Sequence, residues 1–459
     1  MSNSSVSSSI TEAFTGSQWG ETTEAAGFYR SRGVAPGSSG ASPFLLPASE
    51  NNEMVSGGLG AKPPGGKRKR SKVARLARRW AWLKSAGSYL EYMPYYFSSE
   101  PESLKSKLEY CQHTWLRECK GDDIRWRGIG CGERDVCPVC GSYRQLVLAR
   151  EASEAMLLAM TGLEVWWGIR PETFGLKLVL TIPKAESVRI DGLLLTDYSA
   201  WTKEVGRLFK AAYAFVGCWF GVSCGGVVSL DYTGEGSPSE AHYHLNVYVF
   251  PARREGGRWL SLGRWIDKSR LNEMRAGWTG VVNELFGLQL KDANFKASYL
   301  GSEGQFYHWL QYLYRHSLSD LWRGWQGVDA GKVKYRVGKR GKVLTLGGDD
   351  MRGIADRQRL IPVHFKRIRW FGIFSDGQRA KTMASLGLEA VEVKADDDGD
   401  GGSWVQEGEP ARFVRYEADG VVLRIDGGDE FKVPDSLVDY RPSKVSIGKR
   451  KRWREPGGG

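Results

Sequence analysis

The segment "AHYHLNVYVF" (241–250) sets His242 and His244 two residues apart in a chain with only six histidines. Successive side chains on a strand point to opposite faces, so both imidazoles share one face, about 7 Å apart. That spacing lets both grip one cation. A hard divalent cation held by imidazoles also takes a carboxylate and keeps open positions for substrate oxygens. Asp231, on the strand before, is placed by hairpin pairing to supply the carboxylate, with Glu240 the weaker substitute.

Five of the seven cysteines fall between Cys111 and Cys140. "CGERDVCPVCGSYR" (131–144) contains a Cys-x-x-Cys knuckle, Cys137 and Cys140, with Cys131 six residues earlier. In a reducing compartment such crowding points to metal rather than disulfides, and a closed sulfur site is structural. Cys119, Cys131, Cys137 and Cys140 are the expected ligands of one Zn²⁺, with Cys111 and His113 as alternates.

A metal next to a phosphodiester needs a nucleophile. "QFYHWLQYLYRHSLSDLW" (305–322) reads as a helix, and at about 100° per residue Phe306, Leu310, Leu313 and Tyr314 fall on its core side. Tyr312 falls opposite, between His308, Arg315 and His316, on a polar, cationic face suited to a phenolate and a phosphate. Tyr314 is expected to pack.

These residues need elements to position them. Residues 1–66 are Ser/Gly-rich without period and read as disordered. "KRKRSKVARLARRWAWLK" (67–84) opens a basic, aromatic segment (67–105), where Lys67, Arg68, Lys69, Arg70, Arg78 and Arg79 are candidate DNA contacts. Residues 106–160 carry the zinc segment and a helix. From 161 to 385 the pattern is α+β, and 386–459 comprises an acidic linker, a small β-rich module and a basic tail. A net charge of +12 and a pI near 9.2 favour an anionic partner. With no apolar run of about 18 residues and no signal-peptide layout, a soluble cytoplasmic protein without a membrane partner is expected.

In order, "LKLVLTIP", "AHYHLNVYVF" and "WLQYLYRHSLSD" resemble the three motifs of rolling-circle replication initiators of the HUH endonuclease superfamily. The preceding "CGERDVCPVC" looks like the zinc segment upstream in bacterial plasmid members. The resemblance covers about residues 110–380. It implies a central antiparallel sheet flanked by helices, Mg²⁺ or Mn²⁺ on His242, His244 and Asp231, and Tyr312 as the nucleophile. It also implies origin DNA, single-stranded or extruded as a hairpin, as substrate, with host helicase and polymerase as partners. Gln311 and Arg315 stand where the family has lysines, and His308 stands where some members place a glutamate that activates water for termination. A conjugative relaxase or transposase would use the same chemistry. A zinc-containing DNA-binding regulator, whose histidines and tyrosines only pack, is the rival from another class.

Overall fold

The computed structural model describes residues 106–108, 110–133, 137–234, 237–315, 325–329, 332–336, 343–346, 365–393, 404–417, 419–443 and 450–455. The Ser/Gly-rich tail, the six candidate DNA contacts at 67–79, His316, His364 and the acidic run 395–402 lie outside the described residues.

A hairpin, β1 (Thr114–Lys120) and β2 (Asp123–Ile129), is followed by a 30-residue helix, α1 (Pro138–Trp167). Strand β3 (Leu176–Thr181) and helices α2 (Lys184–Thr196) and α3 (Tyr198–Phe220) lead to the long hairpin β4 (Gly225–Gly234) and β5 (Ser237–Val249). A short ribbon, β6 (Ala252–Glu255) and β7 (Arg258–Ser261), precedes α4 (Lys268–Phe286), β8 (Phe295–Tyr299) and α5 (Glu303–Leu313). A three-stranded meander, β9 (Trp325–Asp329), β10 (Lys332–Arg336) and β11 (Val343–Leu346), comes before β12 (Ile368–Gly372), α6 (Arg379–Ser385) and β13 (Glu389–Val393). The chain continues through β14 (Val405–Gln406), β15 (Ala411–Glu417), β16 (Gly420–Ile425), β17 (Glu430–Pro434), β18 (Val438–Ser443) and β19 (Arg450–Arg454).

The α+β class is as expected, with several antiparallel sheets and flanking helices. One sheet has the order β12-β4-β5-β3-β8, antiparallel throughout, with the two-histidine strand β5 in the middle. One of its faces carries Leu178, Leu180, Val228, Leu230, Leu245 and Val247, all buried against α2, α3 and α4. Helix α3 supplies Trp201, Val205, Leu208, Phe209, Ala212, Phe215 and Val216 at three- and four-residue spacing, which is the stripe a helix needs to cover a sheet. Asp197 caps it by accepting from the Ala200 N–H at 3.0 Å. The other face is covered by α1 and α5 through Met156, Ala159, Phe306, Trp309 and Leu310.

This two-sided burial fixes the register. A one-residue slip of β5 would move Leu245 and Val247 out of their core and put His244 and Asn246 into it. Each large apolar side chain is worth about 1.5–3 kcal/mol when buried, so the slipped sheet loses on every strand position. The histidines are therefore confined to the α1/α5 side.

A second sheet has the order β17-β16-β15-β1-β2-β18, with β14 on β1. The C-terminal strands were expected to form a module of their own. Instead β15 pairs with β1 and β18 pairs with β2, so the hairpin ahead of the zinc segment completes their sheet. The sheet curls far enough for Trp126 on β2 to meet Phe431 on β17, ring centroids 5.4 Å apart. The physical reason is burial. Trp115, Ala411, Val421, Leu423 and Val433 are all buried here, and neither the hairpin nor the C-terminal strands could cover that apolar set alone. The basic tail is likewise engaged: β19 pairs with β13, and Arg454 meets Glu389 at 2.8 Å.

Candidate active site

The cysteine cluster lies where the hairpin β1–β2 hands over to α1. Cys111, Cys131, Cys137 and Cys140 place their sulfurs within 4.8 Å of one another. Cys111 and Cys137 are 3.5 Å apart, Cys111 and Cys140 3.8 Å, and Cys131 and Cys140 3.7 Å. A tetrahedral Zn²⁺ with bonds of about 2.3 Å has sulfur–sulfur edges of about 3.8 Å, whereas a disulfide needs about 2.05 Å. The four thiols fit zinc. Cys137 is also the N-cap of α1, its sulfur accepting from the Cys140 N–H at 3.5 Å; burial pushes the Cys137 thiol up, while hydrogen bonds from Cys131, Cys137 and Cys140 hold Cys111 down.

Cys119 was expected in this set and is not in it. It sits five residues up an extended strand from Thr114, about 17 Å of travel at about 3.3 Å per residue. Its thiol donates to Glu407 at 2.8 Å instead. Cys111 takes its place, because the turn before β1 brings that residue back over the knuckle. His113 packs its ring edge-on against Tyr110 and is not among the grouped ligands. Replacing Cys119 with Ser is therefore expected to leave bound zinc at its wild-type stoichiometry, read by elemental analysis, whereas Cys111→Ser lowers it.

The second constellation lies on the α1/α5 face of the five-stranded sheet. Asp231 on β4 stands directly opposite His244 on β5, and Thr181 on β3 stands opposite from the other side. The rings of His242 and His244 are 5.3 Å apart between centroids. His244 Nε2 lies 3.5 Å from Asp231 Oδ2, and its Nδ1 lies 3.2 Å from the His242 carbonyl oxygen. A proton on Nε2 points at the Asp231 carboxylate, which makes His244 a donor to it. Burial, followed by the neighbouring His244, shifts His242 below the usual histidine range, favouring the neutral form that binds metal.

Asp231 is buried and heavily engaged. Burial alone would push its carboxyl up, but Arg315, His244 and Arg367 together hold it well below the usual carboxylate range. Arg315 Nη2 pairs with Oδ2, Arg367 Nη1 reaches Oδ1 at 3.3 Å, and Asn246 Nδ2 donates to Oδ2 at 3.2 Å. Both carboxylate oxygens are thus taken by side chains, and among the described residues only the four cysteines bring their ligand atoms close enough together for a metal ion. Glu240 is exposed and pairs with Lys184 at 2.7 Å.

Helix α5 was expected to run to residue 322. It stops at Leu313, with Tyr314 as C-cap and the Arg315 N–H donating to the Tyr312 carbonyl at 3.2 Å. That turn brings Arg315 back over the helix end, its guanidinium carbon 4.0 Å from the Tyr312 ring centroid. Trp309 stacks on the other neighbour side, ring planes 8° apart at 5.2 Å, and its Nε1 donates to the Val247 carbonyl at 3.1 Å. Tyr312 was expected opposite the core side; it is half-buried and packs on the α1/α5 core, stacked on Trp309 and tied through Arg315 to Asp231. Tyr314 packs on the α1/α5 core, and burial pushes its phenol well above the ordinary value. His308 is exposed on α5.

Asn246, Trp309 and Arg367 were not singled out from sequence. The first could have been, since it continues the alternation His242, His244, Asn246. Arg367 offers no local signal, because it lies 136 residues from its carboxylate partner.

The zinc segment and the tyrosine helix are mechanically joined. Gln145, two turns into α1, is buried and donates from Nε2 to the Gln311 carbonyl at 2.7 Å. Among the described residues no helix is long and apolar enough to cross a membrane. No protein-family model, curated protein or solved structure matches this chain.

Proposed function

We propose that this chain is a DNA strand-nicking and joining enzyme, a replication initiator of the rolling-circle type. The observation that carries the reading is the convergence of Tyr312, Arg315, Asp231 and His244 on one face of an antiparallel sheet. In the proposed reaction the Tyr312 oxygen bonds to the scissile phosphorus as the bond to the 3′ oxygen breaks. The phenol loses its proton and the departing 3′ oxygen gains one. The products are a 5′-phosphotyrosyl link and a free 3′-OH that primes synthesis, with the ester energy kept for rejoining. Arg315 was expected on a polar face to steady the phosphate; it is buried and paired with Asp231, so its part in this reading is to hold the phenol ring in place. His242, His244 and Asp231 would hold Mg²⁺ or Mn²⁺, which when bound polarises phosphate oxygens as a Lewis acid. The cysteine cluster would hold Zn²⁺ in a structural role. Origin DNA as substrate, host helicase and polymerase as partners and a cytoplasmic setting belong to the same reading.

Incubation with labelled single-stranded DNA and Mn²⁺, followed by a denaturing gel, tests it. A labelled band at the protein's mass is expected, and a chain that only regulates transcription gives none. His242→Ala combined with His244→Ala should lower adduct formation by about 10³-fold. That is the loss of several kcal/mol of charge stabilisation at about 1.4 kcal/mol per decade. Metal-dependent nicking at the wild-type rate in that double variant would remove the histidines from the mechanism.

A further inference from the structure

Asp231 is bonded on both oxygens by arginines that come from different parts of the chain. Arg315 follows the C-cap of α5, and Arg367 precedes edge strand β12. Arg367 does two things at once. Its Nη1 reaches Asp231 Oδ1 at 3.3 Å, and its Nη2 donates to the backbone carbonyl of Arg315. One guanidinium thus ties a strand of the central sheet to the residue whose own guanidinium covers the Tyr312 ring at 4.0 Å.

The end of α5 needs such a tie. With 11 residues the helix is too short to hold its shape unaided. Its Leu310, Gln311 and Tyr312 carbonyls are met by the Tyr314 N–H, Gln145 and the Arg315 N–H, which leaves the Arg315 carbonyl just beyond the helix for Arg367, and a cation at a helix C-terminus is favoured by the dipole. Trp309, bonded to Val247, fixes the middle of α5 to β5. The last turn, which carries Tyr312, is fixed to the sheet by Arg315 through Asp231, and Arg315 is in turn fixed by Arg367. We propose that Arg367 is a positioning residue for Tyr312: it locks the end of the nucleophile helix onto the carboxylate that also faces the histidines. The proposal rests on the nicking reading. It gives Asp231 a second task, anchoring the nucleophile, and it ties the ring of Tyr312 and the carboxylate facing the histidines into one unit.

A planar two-pronged donor is required, and lysine supplies only one of the two bonds. The test uses the full chain as wild type, Arg367→Lys and Arg367→Gln, with a labelled single-stranded oligonucleotide pool as the probe. Adduct kinetics give kcat and KM, anisotropy gives affinity, and amide hydrogen exchange reports on residues 308–315. Arg367→Gln is expected to lower kcat about 10²-fold, the cost of roughly 1 Å of misplacement, with KM and affinity within about twofold. Arg367→Lys should recover about a tenth of the wild-type kcat, and exchange across 308–315 should quicken in both variants while α1 is unchanged. Wild-type kcat in Arg367→Gln, or unaltered exchange across 308–315, overturns the proposal. So does a loss of thermal stability with kcat and KM both unchanged, which would make Arg367 structural only. If the wild type itself yields no adduct, the nicking reading fails, and the exchange data alone decide whether Arg367 holds the helix end.

Discussion

Tyr312→Phe is expected to bind single-stranded DNA with wild-type affinity, fold normally and form no covalent adduct at all. The substitution removes only the oxygen that would bond to phosphorus. The ring remains between Trp309 and Arg315, so the stacking at 5.2 Å and the cation contact at 4.0 Å both survive. Few single-atom changes have so complete an expected effect with so little structural cost. Tyr314→Phe is the matched control. It deletes one hydroxyl of a side chain packed on the α1/α5 core, which should cost at most about 1–2 kcal/mol of stability and leave the adduct in place. Peptide mapping of the DNA-linked protein decides between them. Nucleotide found on Tyr314 or Tyr307 would show that the wrong tyrosine has been assigned.

Cys137→Ser together with Cys140→Ser is expected to cost the fold before it costs the chemistry. Structural Zn²⁺ binding is worth about 10–16 kcal/mol in small peptides, while a whole domain is stable by about 5–15 kcal/mol. The loss therefore equals or exceeds the margin of the parts that depend on it. Those parts are identifiable: Cys137 caps α1, and Gln145 on α1 holds the Gln311 carbonyl beside Tyr312. Wild-type protein should carry about one zinc per chain by elemental analysis. The double variant should carry none and lose helical circular dichroism or solubility. A folded, adduct-forming preparation without zinc would sink the structural role.

How much of this was legible in the residues themselves depends on range. The alternation in 241–250 places both histidines on one face because strand geometry is local and has a period of two. Asp231 was accessible by the same logic, since a hairpin partner is the nearest long-range neighbour a sequence offers. The zinc ligands were legible as a group but not individually. Spacing cannot tell that Cys119 rides away along β1 while Cys111 turns back, because the difference lies in where a strand begins. Arg367 was invisible, since its partners Asp231 and Arg315 are joined to it only by tertiary folding. The helix end at Leu313 was missed for a related reason: the apolar pattern continues past it, and a C-cap without glycine gives no stop signal.

The pairing of β1 and β2 with β15 and β18 makes everything between them, histidine sheet and tyrosine helix included, an insertion within another domain. A ribosome delivers the first half of that outer domain early and the second half last. The five-stranded sheet and the helices on it can form before the last strands arrive, while the hairpin waits with Trp115 and Trp126 uncovered. Closing the outer sheet is then a slow, high-contact-order step that comes at the end of synthesis. Chains cut short before β15 would leave that apolar hairpin beside an already formed five-stranded sheet, so truncation should show itself first as aggregation.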